Sequence, residues 1–222
     1  MAHPTLALDD VSATIAGISV LRGISTSIVA GSTVAVVGRN GAGKTTLLRL
    51  IMGLVACRAG RVVFEGHDMA LVKPHDRPRL GIGYAPEDRV LFPTFTVEEN
   101  LRFPCEVQRM ASADIDRRLA EVLSIVPELA PMLSRSASAL SGGQGKMAVL
   151  GRALMIGTRL VMLDEPFQGL APVLAAQYSD SLHRLHRARP DLAIIITESN
   201  HRLLKGVATL TLTLERGALA PA

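Results

Sequence analysis

Apolar runs separated by turn residues divide the chain into a strand-rich beginning, a helical middle and a second strand-containing part. Residues 5–37 hold short apolar stretches between Gly17, Gly23 and Gly31, a pattern that predicts an antiparallel edge of short strands. The run Val34 to Val37 predicts a buried strand, and helical spacing after it predicts a helix with one face on a sheet. The apolar residues of that helical face are Leu47, Leu48, Ile51, Leu54 and Val55.

From Glu87 to about Thr158 the strand pattern gives way to helical spacing. Thr96 and Glu99 occupy the positions of a capping box, which predicts a helix start there. An apolar face then repeats along SADIDRRLAEVLSIV through Ala113, Ile115, Leu119, Val122 and Leu123. Strands are predicted for RVVFEG and GIGYAP before this region and for RLVMLDEP, LAIIIT and VATLTLTLERG after it, with VLAAQYSDSLHRLHRARP as a helix that ends at Pro190.

The segment GRNGAGKTT, between the buried strand and the first helix, matches the spacing G-x-x-x-x-G-K-[ST] of a P-loop. Its glycines let the backbone N–H groups point inward, and the helix start adds its positive dipole end to the same anion cradle. We predict nucleoside triphosphate binding, with Lys44 on the β and γ phosphates and the Thr45 hydroxyl on Mg²⁺. The predicted nucleotide-binding residues are Gly38, Arg39, Asn40, Gly41, Ala42, Gly43, Lys44, Thr45 and Thr46.

Two adjacent carboxylates, Asp164 and Glu165, follow the apolar run Leu160 to Leu163. This is the arrangement of a Walker B strand, in which the first acid holds Mg²⁺ and the second orients and deprotonates the attacking water. We therefore expect Glu165 and Lys44 to be the catalytic residues. The predicted fold is a RecA-like P-loop α/β core with an antiparallel β edge, formed by residues 1–87 and 159–222, and an inserted helical subdomain at 88–158, all within one domain of 1–222.

The amino-acid composition of the chain limits the kinds of partner that it is expected to bind. The chain has 222 residues, a net charge of +4 and only 3% aromatic residues without Trp, so an aromatic platform for single-stranded nucleic acid is not expected. Its two cysteines suit a reducing cytosol, and the N-terminus indicates no signal peptide. No apolar run reaches the roughly 20 residues that span a bilayer, so any membrane role is expected to be peripheral.

The segment Leu140-Ser141-Gly142-Gly143-Gln144 adds a second anion-binding helix start, with a serine N-cap and two glycines. With this motif the chain resembles the ATP-binding subunits of ABC transporters, whose signature is LSGGQ, over essentially all of its length. The resemblance implies ATP and Mg²⁺ as cofactors and a second ABC ATPase subunit, identical or different, whose nucleotide the signature contacts in trans. It also implies an ABC ATPase architecture for the predicted α/β fold.

A narrower resemblance, to the shorter ATPase subunit of branched-chain amino acid importers, is carried by residues 81–101, GRALM and GLAPVL. In that family the loop after the strand ending in Tyr-Ala-Pro carries Glu, as Glu87 does here, and a carboxylate there can ligate Mg²⁺ or its water. By the same likeness the segment Asp88 to Phe103 faces a coupling helix of a permease. Two roles stay open for its apolar residues, contact with the permease or packing between core and helical subdomain; they are Leu91, Phe92 and Phe95.

Three positions depart from the ABC pattern. Ile15 stands where the family places an aromatic residue that stacks on adenine, which predicts a loss of roughly 1 kcal/mol of base affinity. Ser199 stands at the position of the switch histidine, and His201 either substitutes for it or is a solvated residue at a helix start. Gly145 within the signature helix is expected to cost about 1 kcal/mol relative to Ala.

The leading interpretation is an ATP-hydrolysing subunit that powers an ABC importer, with branched-chain or other small hydrophobic amino acids or amides as cargo by resemblance. Two alternatives stay open, a nucleotide-binding regulatory subunit with weak hydrolysis and a soluble ABC ATPase without a transport role. The expected partners are a second ATPase subunit, transmembrane permease subunits and, indirectly, a solute-binding protein, with no nucleic acid. The expected location is the cytoplasmic face of the inner membrane, as a peripheral subunit.

Overall fold

The computed structural model describes residues 4–88, 90–204 and 206–220, and its helices and strands follow the predicted order. The first part holds β1 (Leu6–Ile15), β2 (Ile18–Ile28), β3 (Thr33–Val37), α1 (Lys44–Ile51), β4 (Ala59–Phe64), β5 (His67–Asp68) and β6 (Ile82–Ala85). The helical middle holds α2 (Val97–Val107), α3 (Ser112–Ile125) and α4 (Gly142–Ile156). The last part holds β7 (Leu160–Asp164), α5 (Pro172–Ala188), β8 (Ala193–Glu198), β9 (Leu210–Glu215) and β10 (Ala218–Leu219).

The antiparallel edge forms a sheet with the order β2-β1-β4-β5. β1 and β2 are joined as a hairpin that pairs Leu6 with Ile28 at one end and Ile15 with Ile18 at the other. The prediction of an antiparallel edge is confirmed, but the prediction of short strands is wrong, since the hairpin strands run 10 and 11 residues. Gly23 does not end a strand because β2 continues through it with a left-handed φ of 59°.

A second sheet, of order β10-β9-β3-β8-β7-β6, carries the P-loop. Its strands β3, β7 and β8 are apolar runs buried along their whole length, as expected of parallel strands covered on both faces. Val37 at the end of β3 pairs with Glu198, and Asp164 at the end of β7 pairs with Thr197. The last predicted strand contains β9, and a further strand that was not predicted, β10, follows it after the chain turns through Arg216 and Gly217, both with positive φ.

The helices α2, α3 and α4 lie between β6 and β7 in the chain and pack on one face of the parallel sheet in a shared apolar cluster. The capping box at Thr96 and Glu99 is confirmed. The predicted face of α3 is confirmed for Ile115, Leu119 and Val122, whereas Ala113 is exposed because it lies in the first turn, beyond the packed stripe. The division into core and helical subdomain at 88 and 158 stays a prediction. Within the described ranges, no helix is long and apolar enough to cross a membrane.

Helix α1 ends earlier than its apolar pattern predicts. Gly53 takes a left-handed φ of 76° after Met52, so the chain turns away and Leu54 is exposed, contrary to its predicted place on the buried face. The end of the helix is capped by the buried guanidinium of Arg77, whose Nη1 donates to the carbonyl oxygens of Leu50 and Ile51 at 3.2 and 2.5 Å. The Leu50 carbonyl also accepts from the Gly53 N–H at 2.9 Å, so the Ile51 carbonyl is the one that depends on the guanidinium at this helix end. These bonds fix the helix that carries the P-loop lysine.

We expect Arg77→Met to lower the free energy of unfolding by about 3 kcal/mol, because it strands buried carbonyl groups that the guanidinium now satisfies. Urea unfolding followed by circular dichroism measures the change. Arg79→Met is the matched control, since Arg79 lies on the same segment in an exposed pair with Asp76 and its loss is expected to cost under about 0.5 kcal/mol. Equal losses in the two variants would contradict the capping role.

Candidate functional site

The predicted P-loop is a tight loop between β3 and α1. Gly41 and Gly43 have φ of 80° and 107°, so the left-handed turns that the glycine pattern requires are present. Gly38 is needed for another reason, because a Cβ there would lie 2.3 Å from the carbonyl oxygen of Leu214 on β9. The loop closes on α1 through the Leu47 N–H, which donates to the Gly43 carbonyl at 2.9 Å. Arg39, Asn40 and Ala42 lie in this loop, and Thr45 and Thr46 lie in the first turn of α1.

The ammonium of Lys44 is buried at the mouth of this loop. Its Nζ donates to the carbonyl oxygens of Gly38 and Arg39 at 2.6 and 3.2 Å. It also lies 2.9 Å from Glu165 Oε1, in an ion pair whose two side chains are 5% and 6% exposed. The two predicted catalytic residues are thus brought into direct contact, although they are far apart in sequence.

Glu165 is held by backbone and side-chain contacts from three elements. Its φ of 46° is a strained left-handed conformation for a non-glycine residue, stabilised because its N–H donates to the Thr197 carbonyl at 3.1 Å. Its carbonyl accepts from Lys146 Nζ of α4 at 2.5 Å. Burial favours a high pKa for the Glu165 carboxyl, but hydrogen bonds from Lys44 and Ser199 outweigh burial and hold its pKa below the ordinary value. The carboxylate is therefore ionised.

Ser199, at the switch position, completes this group. Its hydroxyl lies 2.7 Å from both Glu165 Oε1 and Asn40 Oδ1 and accepts from Lys44 Nζ at 3.1 Å. Its N–H donates to Glu165 Oε2 at 3.2 Å. Because one hydroxyl hydrogen serves one acceptor at a time, Ser199 binds either Glu165 or Asn40 at a given moment. The side chain of His201, the suggested substitute, lies outside the described part of the chain.

Oxygen atoms converge on Asp164 at the end of β7. Its Oδ1 accepts from the Thr45 hydroxyl at 3.1 Å and from the Thr197 hydroxyl at 2.7 Å. Its Oδ2 accepts from the Tyr84 hydroxyl at 3.2 Å. A hydroxyl and a carboxylate from opposite sides of a phosphate cradle suit Mg²⁺, which binds proteins through one or two carboxylates and otherwise through phosphates and water. Thr45 and Asp164 thus fit the predicted metal site.

Glu87, the third predicted metal ligand, follows β6 at the same edge of the sheet. β6 is parallel to β7 and pairs Ala85 with Leu163, so the chain leaves both strands side by side. The Glu87 side chain is half-buried. Its part in binding Mg²⁺ stays a prediction. Within the described ranges, no three His, Cys, Asp or Glu side chains form a cluster suited to a metal.

The signature forms the start of α4, as its capping pattern predicts. Ser141 is the N-cap, and its hydroxyl accepts from the Gln144 N–H at 3.3 Å while Gln144 Oε1 accepts from the Ser141 N–H at 3.0 Å. Ser141 and Gly142 are exposed, and Leu140 before them is half-buried. Gly143 is packed, since a Cβ there would lie 2.3 Å from Leu174 Cδ1 of α5. The helix also runs through Gly145, the residue expected to weaken it.

Sequence reasoning missed four residues of the site: Tyr84, Lys146, Thr197 and Glu198. Glu198 had a usable signal, because it follows the buried run of β8 just as Asp164 ends β7. Thr197 and Tyr84 had none, since their contact with Asp164 depends on which strands are neighbours in the sheet. Lys146 lies in the predicted signature helix, but its contact with Glu165 depends on how α4 crosses the sheet.

Comparison with known proteins agrees with this geometry. A family model described as "ABC transporter" matches residues 21–168. LivF of Archaeoglobus fulgidus, a probable branched-chain amino acid transport ATP-binding protein, is 35% identical over 82% of this chain and 75% of its own length. BraG of Pseudomonas aeruginosa, a high-affinity branched-chain amino acid transport ATP-binding protein, is 31% identical over 96% of this chain and 90% of its own length.

Other similar proteins carry names that refer to different transported substrates. Other relatives carry names for sulfate or thiosulfate import and lipopolysaccharide export. The chain spans 63% of the length of an uncharacterised ABC transporter ATP-binding protein of Sinorhizobium fredii, to which it is 29% identical. The solved structure of an ATP-binding subunit of an ABC transporter superposes with a TM-score of 0.85 at 27% identity, covering 98% of this chain and 88% of that one. The chain therefore belongs to the ABC transporter family of ATP-binding subunits, whose members are ATPases.

Proposed function

We propose that this chain is the ATP-binding and hydrolysing subunit of an ABC importer for branched-chain or other small hydrophobic amino acids or amides. The observation that carries the ATPase part is the buried contact of Lys44 with Glu165 at 2.9 Å, beside the Thr45–Asp164 pair at 3.1 Å. A phosphate-binding cation, a water-activating base and two metal-binding oxygens thus share one edge of the sheet. The cargo is inferred from the branched-chain amino acid transport names of LivF and BraG.

The chemistry divides among the residues of this edge. When ATP binds, Lys44 exchanges its contact with Glu165 for the β and γ phosphates, while the backbone N–H groups of Gly38 to Thr46 surround the phosphate chain. Glu165 then orients a water for in-line attack on the γ phosphorus and accepts its proton as the bond to ADP breaks. Thr45 and Asp164, with Glu87 as a further ligand, would hold Mg²⁺, which neutralises charge on the phosphates.

The signature is proposed to act on a second subunit. Its exposed residues Ser141 and Gly142 lie at the helix start, where the positive end of the α4 dipole faces solvent. In the proposed dimer, of two copies or of this chain with a different ABC ATPase, each signature closes on the γ phosphate held by the partner's P-loop. Each composite site then needs both subunits.

The proposed setting is the cytoplasmic face of the inner membrane, where the chain binds peripherally to permease subunits that receive cargo from a solute-binding protein.

The surface proposed to bind the permease is the segment Asp88 to Phe103. The rings of Phe92, Phe95 and Phe103 pack on one another with centroids 4.8 to 5.7 Å apart, and Phe92 is 42% exposed. Leu91 packs instead against the helical core. We therefore assign the permease contact to Phe92 and the packing role to Leu91 within this proposal.

A weakly hydrolysing regulatory subunit is the second candidate, because one observation favours it. Lys44 and Ser199 both bind the Glu165 carboxylate. If the Ser199 hydroxyl stays bound to Glu165 when ATP is present, the Glu165 side chain cannot reorient toward the attacking water. In that case wild-type turnover would already be as slow as that of a variant lacking the base. Turnover of the purified chain therefore separates the two candidates.

Glu165→Gln is expected to lower the ATP turnover number at least about 100-fold, because an amide cannot accept the proton of the attacking water. The same variant is expected to accumulate an ATP-dependent dimer, measured by size-exclusion chromatography with light scattering. Glu106→Gln is the control, since Glu106 is exposed on α2, and it should turn over at the wild-type rate. Wild-type turnover in the Glu165 variant would contradict the proposed base.

Adenine affinity can be tested at the hairpin tip. Ile15 and Ile18 are paired across β1 and β2 and are 44% and 69% exposed. The tip lies close to the P-loop, because a Cβ at Gly43 would lie 3.2 Å from the Val20 carbonyl oxygen of β2. Ile15 and Ile18 offer aliphatic contact area to an adenine base at this place, but they provide no aromatic ring for the base to stack on.

Ile15→Tyr is expected to tighten ADP binding about fivefold, because it restores a ring that can stack on the base. Isothermal titration gives the dissociation constant. Val29→Tyr is the control, since Val29 is exposed just beyond the opposite end of the hairpin and is expected to change the constant less than twofold. Equal constants for the two variants would show that Ile15 is not at the base.

Phe92→Asp is expected to lower the membrane-bound fraction of the chain about tenfold in cells that express its permease, since it places a charge in the apolar contact. ATP turnover of the soluble protein should stay within twofold of wild type. The control is Leu71→Asp, at a residue that is 86% exposed and distant in sequence from the aromatic group. Membrane binding that both variants retain would reject the Phe92 surface.

A further inference from the structure

A second buried carboxyl, Glu198, lies beside the proposed catalytic base and has no part in the mechanism above. It ends β8, next to Thr197, and is 2% exposed. Because Thr197 pairs with Asp164 as the last pair of β8 and β7, Glu198 and Glu165 each follow that pair by one residue. Burial of a carboxyl is unfavourable unless its oxygens are hydrogen-bonded, so Glu198 is expected to have hydrogen-bond partners.

Glu198 makes contacts on both of its sides. Its Oε1 accepts from the Phe167 N–H at 2.8 Å, two residues beyond Glu165 in the loop after β7. Its carboxyl also interacts with the carboxyl of Glu165. The Phe167 ring packs edge-on against the Tyr178 ring of α5, with centroids 5.3 Å apart. Glu198 thus joins the base to the backbone of the loop that follows it.

Only one member of a contacting carboxyl pair can be ionised at low cost. Lys44 lies against Glu165 and holds its charge, so the shared proton belongs on Glu198. Burial, with Glu165 nearby, raises the pKa of Glu198 to about 7, while the Phe167 N–H and the charge of Lys146 act in the opposite direction. The ionisable groups that face Glu198 are Glu165 from the loop after β7, Lys146 from α4 and Tyr178 from α5.

A protonated Glu198 satisfies every contact at once. Its O–H donates to the Glu165 carboxylate, and its carbonyl oxygen accepts from Phe167 N. An ionised Glu198 has no hydrogen to donate and would repel Glu165. When Lys44 turns to the phosphates of ATP, the hydrogen bond from the Phe167 N–H to Glu198 Oε1 does not depend on it and keeps Glu198 beside the loop that carries Glu165.

We propose that Glu198 is a positioning residue, a hydrogen-bond donor that fixes the Glu165 carboxylate and the loop at Phe167 for attack by water. This inference rests on the proposed function, because it gives Glu165 the role of base. In this proposal Glu198 is not a second base, because its carboxyl acts in the neutral, protonated form rather than as a carboxylate.

The test compares two substitutions that separate hydrogen bonding from charge. Glu198→Gln keeps the length, a donor for Glu165 and an acceptor for Phe167 N, whereas Glu198→Asp keeps the carboxyl but is one methylene too short. We expect the Gln variant to retain turnover within about threefold of wild type. The Asp variant should lose at least about tenfold in kcat with KM for ATP within twofold, because Glu198 does not touch the nucleotide.

An Asp variant as active as the Gln variant, a Gln variant that loses tenfold, or a loss confined to KM would each overturn the proposal. Thermal unfolding checks that the variants are folded. Should Glu198→Asp destabilise the chain, Glu198→Met, which keeps the length and removes both hydrogen bonds, takes its place with the same expected loss in kcat. Glu165→Gln, measured in parallel, tests the base itself. Full turnover there would reject the proposed function, whereas loss there with normal Asp and Met variants would reject the role of Glu198 alone.

Discussion

The site depends on the register of three parallel strands, β3, β8 and β7. Because each residue of one strand faces a fixed residue of the next, Val37, Glu198 and Asp164 end their strands at one edge. The P-loop, the switch position, Asp164 at the end of β7 and Glu165 directly after it therefore lie next to one another. Both faces of this sheet are covered by apolar clusters, so the register cannot slip without moving buried side chains.

Local chemistry was enough to predict the P-loop, the capping boxes and the acidic strand end, because each is encoded within a few adjacent residues. The length of α1 was not predictable from apolar spacing alone. Gly53 interrupts that spacing with a turn that leaves Leu54 exposed. Contacts such as Tyr84 with Asp164 and Lys146 with Glu165 join elements far apart in sequence, and they follow from strand order and helix crossing, which spacing does not specify.

The buried pair of Lys44 and Glu165 explains how a charged site is tolerated before substrate binds. A lone ammonium at 5% exposure would be strongly unfavourable, and a lone carboxylate equally so. Each ion compensates the other, with two loop carbonyls and Ser199 as further partners. A phosphate that takes over Lys44 replaces one anion by another, so the ammonium stays compensated while Glu165 is released toward the water.

Helix α4 connects the surface proposed to contact a second subunit with the nucleotide site of its own chain. Its first residues form the signature, which in the proposed dimer faces the partner's nucleotide, and Lys146 one turn later holds the Glu165 carbonyl of its own site. Gly143 packs so closely on Leu174 that the start of the helix cannot shift independently of α5. In the proposed dimer, a displacement at one composite site would therefore reach the other along this helix of 15 residues, which would link the turnover of the two ATP molecules.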